Sequence, residues 1–267
     1  MRLGDGTTLD GRVRDVAARA GVEYLHLEHH PGERGAPRTA PGPHRRDQTT
    51  VRPLLLLLCL LPLSACPEQE RGQRFFTEYR EVYPLFWGRL YAGGGETLYC
   101  ARRFGPDKGR GINIEHVFPM AWMMNAEGCR SRRQCRERSP RFNRIEADMH
   151  NLYPARSDIN EARASLAFGE IPGEQRRFGG CDFELGPRQR LVEPRPAVRG
   201  NIARAMFHMH ETYGLTLFKR QGRLLQRWNR ADPPDAEERR RNREIEAIQG
   251  TRNRFIDDHG AADRLTF

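Results

Sequence analysis

Two short stretches of this 267-residue chain hold side chains that could do chemistry together. The first is Glu115-His116, at the end of an alternating apolar run through Ile112, Ile114, Val117 and Phe118. Alternation of this kind predicts a strand, and Pro119 stops it. The second is Ser157-Asp158-Ile159-Asn160-Glu161, which reads as the opening of a helix with Ser157 as its N-cap. A base and a carboxylate thus sit on a strand, and an amide and a carboxylate at a helix start. Histidine titrates near neutrality and can take a proton from a nucleophile at ordinary pH. Carboxylate and amide oxygens are hard donors, the kind that hold magnesium or calcium. Neighbouring strand residues point to opposite faces, so Glu115 and His116 must serve different sides of whatever they act on.

Between these stretches lies the run Arg144-Ile145-Glu146-Ala147-Asp148-Met149-His150-Asn151-Leu152-Tyr153-Pro154, and Asn160 is followed by Ala162-Arg163. With Glu115-His116-Val117-Phe118-Pro119, this pattern resembles the His-Me finger (ββα-metal) nucleases, and within them the endonuclease I family of periplasmic and secreted bacterial DNases. The resemblance continues through Glu193-Pro194, Arg199-Gly200-Asn201-Ile202-Ala203-Arg204 and Gln249-Gly250, and it covers residues 75–257. It implies a metal-dependent, largely sequence-independent endonuclease that hydrolyses phosphodiester bonds in DNA, with RNA as the alternative substrate, and leaves 5′-phosphate ends. Such hydrolysis needs an activated water in line, charge neutralisation on the phosphate and relief for the leaving alkoxide. His116 is expected to be the general base. Glu115 and Asn160 are expected to hold one divalent cation, Mg²⁺ or another such as Mn²⁺ or Ca²⁺. Magnesium keeps several waters and takes one or two protein ligands, so an acid and an amide suffice. Arg132, three residues before Cys135, matches the family's phosphate-contacting arginine, with Arg130 and Arg133 as alternatives. Glu146 is expected to orient its neighbours through hydrogen bonds, and His150, His208 and His210 read as core histidines. No protein partner is implied. No recognition helix or zinc finger is visible, so specificity should come from phosphates and groove shape. The rival reading is an envelope nucleic-acid-binding protein with a silent site, a DNA-uptake or matrix component.

The elements that must position these residues can be read in chain order. Phe75, Phe76, Tyr79, Val82 and Tyr83 fall at helical spacing; Pro84 interrupts, and a second helical piece is expected over 85–91. Residues 96–100 read as a strand. Ile202, Met206, Met209 and Tyr213 form an apolar stripe ended by Gly214, and Leu224, Leu225 and Trp228 form another. Asp235 with Glu238 suits the start of a third helix that turns Ile245 and Ile248 inward and ends at Gly250. The run from Glu237 to Arg241 reads as a solvated face. The expectation is an α+β protein, a mostly helical single domain over residues 67–267 with a small ββα-metal finger set into it.

The chain carries a net charge of +10, and its only lysines are Lys108 and Lys219. Arginine's planar fork bonds two phosphate oxygens at once, and a basic body suits a partner held through phosphates. Residues 1–50 mix Gly, Pro, Arg and His without a sustained period and are expected to be disordered or an over-extended gene start. Residues 51–66 resemble a signal peptide: Arg52, an apolar run over 54–63 that is too short for the roughly 20 residues a bilayer needs, then Leu63-Ser64-Ala65-Cys66. That ending is similar to a lipoprotein box, with lipidation of Cys66 and membrane attachment; an ordinary signal-peptidase site is the rival. The expected location is therefore outside the cytoplasm: periplasmic, anchored in the envelope as a lipoprotein, or secreted. Export permits disulfides. Cys100, Cys129, Cys135 and Cys181 allow three pairings, among which Cys129–Cys135 would close a short loop and leave Cys100–Cys181. A zinc site of Cys129, Cys135 and His150 is the alternative.

Overall fold

The computed structural model describes residues 72–173 and 177–267, which belong to one compact unit. The expected signal and leader segments lie outside the described residues. Among the described residues the architecture is α+β: helices with three small sheets. Among the described residues no helix is long and apolar enough to cross a membrane.

Helix α1 (Tyr79–Leu85) contains Pro84, which has no N–H to give. The chain does not break there. It widens over Phe86–Leu90 into a π-turn, closed by Tyr91 N donating to Phe86 O at 3.0 Å. The expected strand over 96–100 is a correction. Only Glu96 pairs, in the hairpin of β1 (Gly95–Glu96) with β2 (Arg103–Phe104). Residues 98–100 turn instead, because Thr97 N bonds Arg102 O and Ala101 takes a φ of 51°.

The finger follows. Strand β3 (Ile112–His116) runs antiparallel to β4 (Leu152–Arg156), with Glu115 opposite Tyr153 and His116 opposite Leu152. Helix α5 (Ser157–Arg163) comes straight off β4. Its N-cap is Arg156, not Ser157 as the sequence suggested; Ser157 is its first residue, and its N–H still pairs with Gly111 O at 2.9 Å. The strand also ends before Val117 and Phe118, both of which are buried. Asn151 ties that exit: its Oδ1 accepts from Phe118 N at 2.6 Å and its Nδ2 donates to Phe118 O at 3.1 Å. Between the two strands lie α2 (Met120–Ala126), α3 (Arg132–Arg138) and α4 (Pro140–Glu146).

The two faces of the finger sheet meet different apolar clusters. Tyr153 and Ala155, on Glu115's side, belong to the larger core with Tyr99, Phe168 and Phe183. Leu152 and Ile114, on His116's side, belong to a second cluster with Phe76, Val82 and Phe86. A third sheet, β5 (Ala167–Phe168), β7 (Leu191–Pro194) and β6 (Phe183–Gly186), backs the larger core.

The C-terminal helices α6 (Arg199–Tyr213), α7 (Lys219–Ala231) and α8 (Ala236–Gln249) bury the expected stripes. Gly214 and Gly250 sit in the left-handed region after α6 and α8, and the Asp235 side chain accepts from Glu238 N. A side chain at Gly200 would collide with the Asp232 backbone oxygen, so α6 and the end of α7 meet there as only glycine allows. The run 237–241 is not wholly solvated: Glu238 and Arg241 are each 2% exposed. Glu238 forms a two-point pair with buried Arg204. Arg241 bonds the carbonyls of Met149 and Leu152 and lies 3.9 Å over the Tyr153 ring, which fastens α8 to the finger. Residues three apart on a helix share a face, so one charged run supplies both a solvated and a buried side.

Candidate active site

His116 and Glu115 diverge, as alternation on a strand requires. His116 is 7% exposed, and its Nε2 lies 3.0 Å from the backbone oxygen of Glu146. A carbonyl oxygen can only accept, so Nε2 carries the proton and Nδ1 keeps the free lone pair. The imidazole packs 5.2 Å from the Tyr79 ring. Burial, then the nearby Arg132 guanidinium, lower its pKa from 6.5 to about 4. The ring is neutral at pH 7 and able to accept a proton, though as a weaker base than a free histidine.

Glu146 supplies more than that carbonyl. Its carboxylate is fully buried and is gripped by Arg132 and by Arg136, the latter at 2.7 and 2.8 Å. Both guanidinium groups also stand over the Tyr79 ring. Of the three candidate arginines, Arg132 is the one beside His116. Arg133 reaches out to Glu137, and Arg130 is exposed. The Cys129–Cys135 disulfide closes the loop that holds Arg132 at the start of α3.

Glu115, on the opposite face, is 2% exposed. Its Oε1 accepts from the Tyr99 hydroxyl at 2.7 Å and lies 3.3 Å from Arg163 Nη1. Burial pushes the Glu115 pKa up, while Arg163 and the Tyr99 hydrogen bond oppose it. Arg163 also donates to the backbone oxygens of His116 (3.2 Å) and Val117 (2.6 Å). One buried guanidinium therefore offsets the Glu115 charge and fixes the strand exit. The second disulfide, Cys100–Cys181, anchors the residue after Tyr99 to the segment leading into β6. With both cysteines of the short loop bonded to each other, the zinc site of Cys129, Cys135 and His150 is excluded.

Asn160 lies three residues before Arg163, on the same face of α5. Its Nδ2 donates to Asn113 Oδ1 at 2.9 Å and to Ile114 O at 3.1 Å. These two bonds fix the amide plane, and Oδ1 takes no hydrogen bond among the described residues. Glu115 and Asn113 share a strand face, so α5 lays Asn160 and Arg163 along the same side of β3 as Glu115. A carboxylate and an amide oxygen on one side of the strand are a donor set that suits a hard cation.

A second group has ligand-like spacing: donor atoms of Asp148, His150 and His208 lie within 4.8 Å of one another, all buried. Its carboxylate is already committed. Asp148 Oδ2 accepts from His208 Nε2 (3.0 Å) and the Tyr213 hydroxyl (2.7 Å), and Oδ1 accepts from His150 N and Gln249 Nε2 (both 2.9 Å). Burial raises the Asp148 pKa, but His208, His150 and Gln249 together outweigh it and hold the carboxyl well below the usual range. This hub joins α6 and α8 to the finger, and it is a structural network. His150 gives Nε2 to Thr251 O at 3.0 Å, and burial lowers its pKa to about 3.

The structure thus gathers His116, Arg132 and Glu146 on one side, and Glu115 and Asn160 on the other. Sequence reasoning missed the roles of Tyr79, Tyr99, Arg136 and Arg163. Only Arg163 had a local signal, its position three residues after Asn160.

Residues 95–260 match the family model described as Endonuclease I. An extracellular deoxyribonuclease of Aeromonas hydrophila is 33% identical over 77% of this chain and 97% of its own length. A periplasmic deoxyribonuclease of the same species is 33% identical over 77% of this chain and 94% of its own. An Endonuclease-1 of Buchnera aphidicola is 31% identical over 62% of this chain and 68% of its own.

Proposed function

Because the chain belongs to the endonuclease I family, we propose that this endonuclease cuts DNA with water, using His116 as base and a divalent cation held by Glu115 and Asn160. The observation that carries the reading is the divided geometry around β3. His116 has its Nε2 proton committed to Glu146 O, and Asn160 has an uncommitted Oδ1 on the other side.

His116 Nδ1 takes a proton from the attacking water as its oxygen bonds to phosphorus. The Glu146 carbonyl keeps the ring in the tautomer that leaves Nδ1 bare, and Tyr79 limits its rotation. Arg132, held by Glu146, meets a phosphate oxygen with the part of its fork that faces solvent. Glu115 and Asn160 would hold Mg²⁺ or a similar ion, which supplies Lewis-acid charge for the phosphate and the leaving oxygen. The bond to the 3′ oxygen breaks, and the phosphate stays on the 5′ end of the other fragment. Contacts through phosphates make cleavage largely independent of sequence.

The protein is exported, in keeping with the two disulfides among its described residues and with relatives named as extracellular or periplasmic. Lipidation at Cys66, with residues 1–50 absent from the mature protein, is the finer reading. The test is plasmid nicking in Mg²⁺ and in EDTA, run in parallel on RNA and on the His116→Ala and Asn160→Ala variants. Cleavage that persists in EDTA refutes the cation. A His116→Ala variant that cuts at the wild-type rate refutes the base.

A further inference from the structure

A second surface lies outside these residues. It is a groove of 1140 Å³ that begins at Ser165, two residues after Arg163, and runs to the start of α7. Trp122, Leu166, Phe168, Leu191 and Leu224 give it an apolar floor. Its rim holds Arg190, Lys219, Arg220, Arg223 and Arg227 against one acid, Glu170. Glu170 sits 3.8 Å from Arg227, and the other four cations make no ion pair among the described residues. At the mouth stands Phe218, 73% exposed, the most exposed large apolar side chain among the described residues. Gln221 lines the same groove, 8% exposed, and its Nε2 has no hydrogen-bond partner.

Each feature is costly or idle in an isolated protein. An exposed phenyl ring gains nothing from folding, a buried amide donor left unmade is unfavourable, and four unpaired cations around an apolar floor repel one another. One occupant answers all three: a polyanion with flat apolar rings and hydrogen-bonding edges. We propose that this groove binds unpaired nucleotides of single-stranded DNA next to the cut site. A base stacks on Phe218, and Arg190, Arg220 and Arg223 meet the backbone phosphates. A duplex keeps its bases turned inward and has no ring to offer Phe218, so the groove favours a single strand. Helix α5, which carries Asn160, ends at Arg163, and the groove begins two residues later at Ser165, which sets it beside the site. This inference rests on the reading of the chain as a DNA-cutting enzyme.

The test is fluorescence anisotropy of the full chain, in EDTA, with labelled single-stranded oligonucleotides from 4 to about 20 nucleotides, a range that spans site sizes of such surfaces. Wild-type affinity should rise in a step once the oligonucleotide is long enough to reach the groove. Phe218→Ala should remove about tenfold of that step, in line with stacking on one aromatic ring. The double variant Arg220→Glu with Arg223→Glu should abolish it. Arg239→Glu with Arg243→Glu, on exposed positions of α8, changes the net charge equally and should keep the step. The proposal is overturned if the wild type shows no step, if Phe218→Ala keeps it whole, or if the α8 control loses as much. Plasmid cleavage in Mg²⁺ by the wild type, measured alongside, tests the enzymatic reading separately.

Discussion

Replacing Arg163 with methionine removes the only guanidinium paired with Glu115 among the described residues. The two side chains are 1% and 3% exposed, so water cannot screen what is left behind. Breaking one side of a buried ion pair costs about 3–5 kcal/mol, because the other charge stays buried without compensation. The variant also loses the bonds from Arg163 to the oxygens of His116 and Val117. For a domain of this size, 1 kcal/mol lowers Tm by about 2–4 °C, so a fall of about 6–20 °C is expected. The penalty must depend on pH. The Glu115 pKa is already raised in the folded protein by burial, and loss of Arg163 raises it further. A carboxyl with a raised folded pKa favours the folded state when protonated, and that contribution is lost as pH rises through the folded pKa. The Tm gap between wild type and variant should therefore narrow on acidification from pH 8 toward pH 5. A cation at Glu115 would stand in for the missing charge, so added Mg²⁺ should raise the Tm of Arg163→Met more than that of the wild type. The assay is differential scanning calorimetry across pH, with and without Mg²⁺. A penalty under about 1 kcal/mol, far below what a broken buried pair costs, would refute the reasoning; so would a gap that stays constant with pH.

Other consequences can be measured directly. His116→Ala should slow cleavage about 10²–10⁴-fold while DNA binding persists, with partial recovery at high pH in a rate–pH series. The wild-type acid limb should fall below pH 6.5, because His116 stays neutral down to about 4; a limb at 6.5 would contradict that environment. His116 and His150 are buried neutral, so between pH 6.5 and their folded values of about 4 and about 3 the unfolded chain binds more protons. Each should cost about 1.4 kcal/mol of stability per pH unit lost in that window, readable as urea midpoints. The disulfides should separate stability from activity. The chain-entropy relation gives about 4–5 kcal/mol for Cys100–Cys181 and about 2 kcal/mol for Cys129–Cys135, whose separations are 81 and 6. Removing the short bridge should cost less Tm yet more turnover, because it frees the loop that carries Arg132.

Local pattern was enough for much of this protein. Alternation around Glu115-His116 set a strand with the two side chains on opposite faces, and period-3.6 stripes set the last three long helices, with glycine ends on α6 and α8. Both are consequences of backbone geometry within a few residues, and the sequence states them outright. It was also enough for the pairing Cys100–Cys181 once the short Cys129–Cys135 loop was assumed. Tertiary structure alone decided the protonation and charge of the site. Whether His116 offers Nδ1 or Nε2 depends on the Glu146 carbonyl thirty residues away. Whether Glu115 can be buried depends on Arg163 and on Tyr99, which a turn rather than the expected strand delivers. Glu238 and Arg241 look like a solvated charge run until Arg204 and the carbonyls of Met149 and Leu152 meet them, 34 to 92 residues away along the chain. A buried charge is stable only beside a partner, and that partner is brought by packing, which no local spacing encodes.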